Sequence, residues 1–268
     1  MIRTDLIPPH PHIAVDVCGA GELVLFLHGI GGNRTNWRDQ MTVIGEHFLA
    51  AAWDVRGYGL SEDYDGSAHF CDFSADVIRV LDHYGAAQAH LVGLSMGGRI
   101  AFDFYGRHPQ RVCTLTLADT SFAAPPTAEH VQKVLAMRQR PLLEGKTPAE
   151  IAPDVAKSMT SPLTPPAAMA RIIESLSALH RDSYLKTLSA VVPYDQFPSP
   201  DSIAVPALVI CGGEDPIAPP ALMRGLAEQI PDAEYVEISG AAHISNIEKP
   251  DEFNAALLSF LLKHRRNE

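Results

Sequence analysis

Short apolar runs, each closed by a turn, punctuate the first half of the chain. Leu23–Leu27 (LVLFL) runs into His28-Gly29, 48–53 (FLAAAW) into Asp54-Val55-Arg56-Gly57, and 90–92 into Gly93. Continuous apolar runs of this length predict strands buried on both faces of a parallel sheet. Helical patterns lie between them. Phe73, Val77, Val80, Leu81 and Tyr84 recur at three- and four-residue steps, with Gly85 as a C-cap. Residues 96–105 read as a helix and 112–117 as the next strand. The alternation resumes late, with a strand at 207–211, a helix at 219–229 and a strand at 234–238. A last helix opens at Pro250, followed by Asp251 and Glu252, residues suited to its positive end. Its buried stripe is Phe253, Ala256, Leu257, Phe260 and Leu261.

Strands alternating with helices predict an α/β fold with a mostly parallel central sheet and helices on both faces. The middle departs from this rhythm. Residues 122–206 hold no strand pattern, frequent prolines, and helical stretches at 131–140 and 168–180. They read as a helical lid over the carboxyl ends of the strands, where open α/β sheets bind ligands. The expected organisation is therefore a first core segment at 1–121, a lid at 122–206 and a second core segment at 207–268.

Length, charge and cysteine usage narrow the class. A chain of 268 residues with 46% hydrophobic and 20% charged residues suits one large globular unit. The net charge of −11 argues against nucleic acid and anionic membrane surfaces as partners. The four cysteines, Cys18, Cys71, Cys113 and Cys211, are scattered, so they read as small buried residues of a reducing compartment rather than a disulfide framework. No apolar run is long enough for a membrane span, and residues 1–12 lack the pattern of a signal peptide. A cytoplasmic location is the expectation. His10 and His12 have no evident companions for a metal, and neither metal nor cofactor is expected. The partner expected is a small-molecule substrate, with homo-oligomerisation left open.

The candidate chemistry starts at Gly93-Leu94-Ser95-Met96-Gly97. This is G-x-S-x-G between a strand and a helix, the context in which a strained turn lifts a nucleophilic hydroxyl above the sheet. A serine hydroxyl needs a base. Of the twelve histidines, His243 stands out, in a loop between the last strand and the last helix. The base needs a carboxylate to hold its tautomer. Asp215, in Gly212-Gly213-Glu214-Asp215-Pro216, lies past the strand at 207–211, and Asp119 at the end of the strand at 112–117 is its rival. The order Ser95, Asp215, His243 favours Asp215. The glycines of His28-Gly29-Ile30-Gly31-Gly32 place the N–H of Ile30 opposite that of Met96, an oxyanion pair worth around 3 kcal/mol per donor. A dinucleotide loop starting at Gly29 fails, because Arg34 stands where its third glycine belongs.

These segments resemble the α/β-hydrolases. The similarity runs from about His12 to Leu262 and is carried by LFLHGIGGN, DVRGYGLSE, HLVGLSMGGRIA, ICGGEDPIAPP and AAHISNIEKP. Within that superfamily it is similar to 3-oxoadipate enol-lactonases, related small esterases and meta-cleavage C–C hydrolases. Two departures stand out: Ile244 rather than Trp follows His243, and the two tryptophans, Trp37 and Trp53, both lie outside the lid. The resemblance implies a serine hydrolase for an ester or lactone of aromatic or heterocyclic catabolism, acting through an acyl-enzyme. It makes Trp37 a pocket-wall candidate, with core packing as the other reading. Such substrates often carry a carboxylate, so Arg138, Arg140, Arg171 and Lys157 of the lid become binding candidates, Arg138 first. The rivals are C–C bond hydrolysis, metal-free perhydrolysis or halogenation, and a ligand receptor on a hydrolase scaffold.

Overall fold

The computed structural model describes residues 1–120 and 127–266. Among them the strands are β1 (Arg3–Ile7), β2 (Ile13–Gly19), β3 (Leu23–Leu27), β4 (Leu49–Trp53), β5 (Ala89–Leu94), β6 (Val112–Ala118), β7 (Ala207–Gly212) and β8 (Ala233–Ile238). They form one sheet in the order β1-β2-β4-β3-β5-β6-β7-β8. From β4 through β8 every pairing is parallel. The first two strands are antiparallel additions at one edge. The chain thus has the expected α/β fold with a mostly parallel sheet.

The two-faced burial inferred for LVLFL is realised residue by residue. Leu23, Leu25 and Leu27 face one apolar layer, while Val24 and Phe26 face the other. The first layer is covered by α2 (Phe70–His83) and α3 (Met96–Arg107) through Phe73, Val77, Ile100 and Phe104. Across the sheet lie α1 (Arg38–Ile44) and, at the end of the chain, the Pro250–Lys263 helix, which contribute Met41, Ile44, Phe253 and Leu257. Each Leu- or Phe-sized side chain buried this way contributes about 1.5–3 kcal/mol.

Between β6 and β7 the described chain holds α4 (Ala128–Leu143), α5 (Pro148–Lys157), α6 (Pro166–Ser177) and α7 (Arg181–Val191). Thr147 caps α5, accepting from the Glu150 N–H while the Glu150 carboxylate accepts in return. The expected boundary between core and lid at 121/122 lies outside the described residues. After β7 come α8 (Pro220–Gln229), the short α9 (Ser245–Glu248) and the final α10 (Pro250–Lys263). No helix among the described residues is long and apolar enough to cross a membrane.

The sequence pattern does not pick out the edge strand β1 or its neighbour β2. Every residue of β1 except Ile7 and the half-buried Asp5 is exposed, so its apolar positions gave no core signal. The helices α5 and α7 were also unread: Pro148, Pro153 and Arg181 open or interrupt patterns that tertiary packing completes.

Candidate active site

Ser95 sits between β5 and α3 with φ 53° and ψ −114°, a left-handed conformation that costs a non-glycine residue about 1–3 kcal/mol. The turn is held in place from β6. The Ser95 N–H donates to the Ala118 carbonyl at 2.9 Å, and the Thr120 hydroxyl donates to the Ser95 carbonyl at 2.7 Å. The flanking glycines are required by contact. A Cβ on Gly93 would lie 2.3 Å from the Gly97 carbonyl oxygen, and one on Gly97 would lie 1.9 Å from that of Leu27. The strand and helix can close on the turn only without those side chains.

His243 Nε2 lies 2.9 Å from Ser95 Oγ, and its Nδ1 lies 2.8 Å from Asp215 Oδ2. The carboxylate can only accept, so Nδ1 carries the proton and Nε2 is free to accept from the serine hydroxyl. The other Asp215 oxygen accepts from the N–H groups of Ile217 (2.7 Å) and Ala218 (3.0 Å). Burial pushes the Asp215 carboxyl up, but the His243 hydrogen bond, the His243 charge and those two N–H groups outweigh it. The net value lies below the usual carboxylate range, and the group is held ionised beside the imidazole. The His243 N–H in turn donates to the Met159 carbonyl at 3.1 Å, which ties the base to the segment after α5.

Asp119, the rival acid, does not touch His243 within hydrogen-bond reach. Its Oδ1 accepts from the Gly212 N–H at 2.8 Å, and its Oδ2 accepts from Ser245. Burial and the nearby Asp215 charge push its carboxyl up to about 7, against the His243 charge and those donors. It too has a positive φ, 45°.

Ser95, Met96, Ile30 and His243 line one cavity of about 660 Å³. As the first residue of α3, Met96 presents an N–H that has no partner within its helix. The loop bearing Ile30 is anchored by His28, which is buried. Its Nδ1–H donates to the Gly29 carbonyl at 2.8 Å and its Nε2 accepts from the Val55 N–H at 3.0 Å. Burial keeps this imidazole neutral by lowering its pKa.

Trp37 is a correction. It does not line the Ser95 cavity but is fully buried on the α1/α10 side of the sheet. Its ring centroid lies 5.1 Å from that of Phe26 and 6.0 Å from that of Phe253. The turn Arg34–Trp37, capped by Asn33, sets the indole into the core, where it borders a small void of about 30 Å³ shared with Ile30, Met159 and Leu176. Arg138 does line the cavity, whereas Arg140 pairs with Glu144 and Arg171 with Asp39 away from it. The sequence reading missed Arg99, which also lines the cavity. The available signal was its position four residues after Ser95, one helical turn along α3. Among the described residues no cluster of His, Cys, Asp or Glu is arranged to hold a metal ion.

Comparison with known proteins agrees with this fold. Residues 22–250 match the family model described as alpha/beta hydrolase fold. The chain is 27% identical over 237 residues to 3-oxoadipate enol-lactonase 2 of Acinetobacter baylyi, covering 87% of this chain and 86% of that one. Among solved structures it is similar to a thermophilic esterase from Thermogutta terrifontis (TM-score 0.85, 27% identity, 99% of this chain and 100% of that one). It is equally similar to the enol-lactonase from Burkholderia xenovorans (TM-score 0.85, 27% identity, 97% and 100%).

Proposed function

The chain belongs to the alpha/beta hydrolase fold family, and from that premise we propose that it is a serine hydrolase of carboxylic esters or lactones. The observation that carries this reading is the unbroken relay from Ser95 Oγ through His243 to Asp215, at 2.9 and 2.8 Å, opening on the cavity. The esterase and enol-lactonase relatives support the same bond type.

In this mechanism Ser95 Oγ attacks the substrate carbonyl carbon as His243 Nε2 takes its proton. The carbonyl oxygen becomes an oxyanion held by the N–H groups of Ile30 and Met96. Collapse of the tetrahedral species breaks the C–O bond, and His243 returns the proton to the leaving alcohol or enol. Water then enters, gives its proton to His243, and releases the acid and free Ser95 by the same steps. Asp215 keeps Nδ1 protonated and stabilises the imidazolium throughout. Helices α4 to α7 act as the lid over the cavity.

The test is hydrolysis of short p-nitrophenyl esters and an enol-lactone, with wild type beside Ser95→Ala, and fluorophosphonate labelling of both. Turnover and labelling confined to wild type are expected. No turnover of any ester or lactone together with no labelling would overturn the reading, as would preferred cleavage of a C–C bond in a dienoate substrate.

A further inference from the structure

Glu248, the last residue of α9, is buried and takes no part in the mechanism above. Its two carboxyl oxygens serve two distant parts of the chain. Oε1 accepts from the Ile244 N–H at 3.1 Å, directly after His243. Oε2 accepts from the Thr164 hydroxyl at 2.5 Å, in the turn between α5 and α6. That turn is closed on itself. The Thr164 hydroxyl oxygen accepts from the Ser161 N–H, and the Thr164 N–H donates to the Ser161 carbonyl, each at 3.1 Å.

The two peptide N–H groups that flank the His243 Cα are therefore both held from the α5–α6 connection. The N–H of His243 itself donates to the Met159 carbonyl at 3.1 Å. The next one, of Ile244, reaches Thr164 through Glu248. A hydrogen bond on each side fixes both peptide planes, and with them the direction in which the His243 side chain leaves the backbone. The imidazole depends on that direction, because its two nitrogens must meet Ser95 Oγ and Asp215 Oδ2 at 2.9 and 2.8 Å. The far side of the same loop is tied to the sheet instead, where Asp119 holds Ser245. Capping of α9 explains the Ile244 bond but not the bond to Thr164. Neither Glu248 nor Thr164 lines the Ser95 cavity, so neither is placed to touch a substrate there.

We propose that Glu248 is a positioning residue that couples the α5–α6 turn to His243, so that proton transfer from Ser95 is fast only while that turn is docked on the core. The proposal rests on the serine-hydrolase reading for the reaction that His243 serves. Undocking the turn withdraws the Met159 carbonyl and the Thr164 hydroxyl together. The His243 N–H and one Glu248 oxygen then lose their partners, and the loop relaxes away from Ser95. A base displaced by about 1 Å loses on the order of 100-fold in rate. The lid thereby acts on the chemistry through the backbone of the base, without contact with the reacting atoms.

The experiment compares Thr164→Val, Glu248→Ala and Glu248→Gln with wild type in two readouts. One is steady-state turnover of p-nitrophenyl acetate. The other is the proton resonance of His243 Nδ1–H, assigned by its absence in His243→Ala. Thr164→Val removes the bond to the lid and keeps the bond between Glu248 and Ile244. It is expected to lower kcat about 3–10-fold with KM within about twofold of wild type, and to shift or broaden the resonance. Glu248→Ala removes both bonds, and a fall in kcat of about 10–100-fold is expected. Glu248→Gln keeps an acceptor for Ile244 and a polar partner for Thr164, and is expected to hold kcat within about threefold of wild type. Thr164→Val keeps the test decisive if Glu248→Ala fails to fold. An unmoved resonance or an unchanged kcat in folded Thr164→Val overturns the coupling, as does a loss confined to KM. Glu248→Gln as impaired as Glu248→Ala overturns it too, since charge rather than the two bonds would then matter. If wild type turns over no ester and takes no fluorophosphonate label, the hydrolase reading fails, and the resonance alone decides the coupling.

Discussion

Asp119 Oδ2 accepts two hydrogen bonds from Ser245, one from its N–H at 3.1 Å and one from its hydroxyl at 2.5 Å. Ser245 lies two residues after His243. The other Asp119 oxygen takes the Gly212 N–H, at the end of the strand that leads to Asp215. One buried carboxyl at the end of β6 therefore fixes both loops that carry His243 and Asp215, without touching the hydrogen bonds that join those two to Ser95.

Removing that brace is expected to damage catalysis through position. Asp119→Ala leaves two buried N–H donors without partners, at about 1–3 kcal/mol each. A fall in kcat of about 10–100-fold is expected from a misplaced base, with a lowered melting temperature. Ser245→Ala removes only the hydroxyl and costs less on both counts. Steady-state kinetics on a p-nitrophenyl ester and thermal unfolding check this. A kcat unchanged in Asp119→Ala would show that the base is positioned by Asp215 and Met159 alone.

The same carboxyl sets a pH dependence of stability. Folding raises its pKa to about 7, whereas an unfolded aspartate titrates near ~3.9. Between those values the folded state keeps a proton that the unfolded state has released. The contribution is therefore complete below the unfolded pKa and is lost as pH rises to about 7. Asp119→Asn carries no such titration. The stability of wild type relative to this variant is expected to decline as pH rises through that window and then level off. Urea unfolding of both proteins at several pH values between about 4 and 8 reads it. A difference independent of pH would show that Asp119 is ionised throughout.

Glycine in the turn and glycine elsewhere are expected to respond oppositely to alanine. In Gly97→Ala the new methyl would meet the Leu27 carbonyl oxygen at 1.9 Å and the His28 carbonyl oxygen at 2.9 Å. The backbone must part there, which moves Ser95 away from the Ile30 loop. Loss of about 100-fold or more in kcat/KM is expected, with destabilisation above about 3 kcal/mol. Gly225 lies inside α8 with nothing within 4 Å of its added Cβ. Gly225→Ala is expected to stabilise by about 0.5–1 kcal/mol and to leave activity intact. Denaturant unfolding and ester turnover measured side by side decide both.

Asp54 anchors the chain just after the Ile30 loop by charge. It is fully buried and accepts from the Arg34 N–H (2.7 Å), Arg34 Nη1 (2.6 Å) and the Leu60 N–H (2.8 Å). Asp54→Ala strips a partly buried guanidinium of its nearer partner and is expected to cost about 3–5 kcal/mol. Adding Arg34→Met should recover some of that loss, because it removes the stranded charge. A double variant less stable than Asp54→Ala alone would show that Asp16 already satisfies Arg34.

The sheet core and the hydrogen-bonded trio of Ser95, His243 and Asp215 are both legible in the residue pattern. Leu23–Leu27, Gly93 to Gly97 and the Gly-Gly entry to Asp215 are local signals, because buried strands, tight turns and helix starts constrain residue type over a few positions. Chain order then selected Asp215 over Asp119. Tertiary structure decided what depends on where distant segments meet. Trp37 could have lined the Ser95 cavity or the core, and the Asn33-capped turn set it against Phe26 and Phe253. Asp119 reads locally as a second acid, and only the approach of Gly212 and Ser245 makes it a brace. The lid arginines look alike in sequence. Packing alone gave Arg140 and Arg171 their carboxylates and, among the described residues, left Arg138 without one. Pattern fixes which residues a segment buries. The partner each buried charge meets is set by contacts between residues far apart in the chain, and no local pattern encodes those.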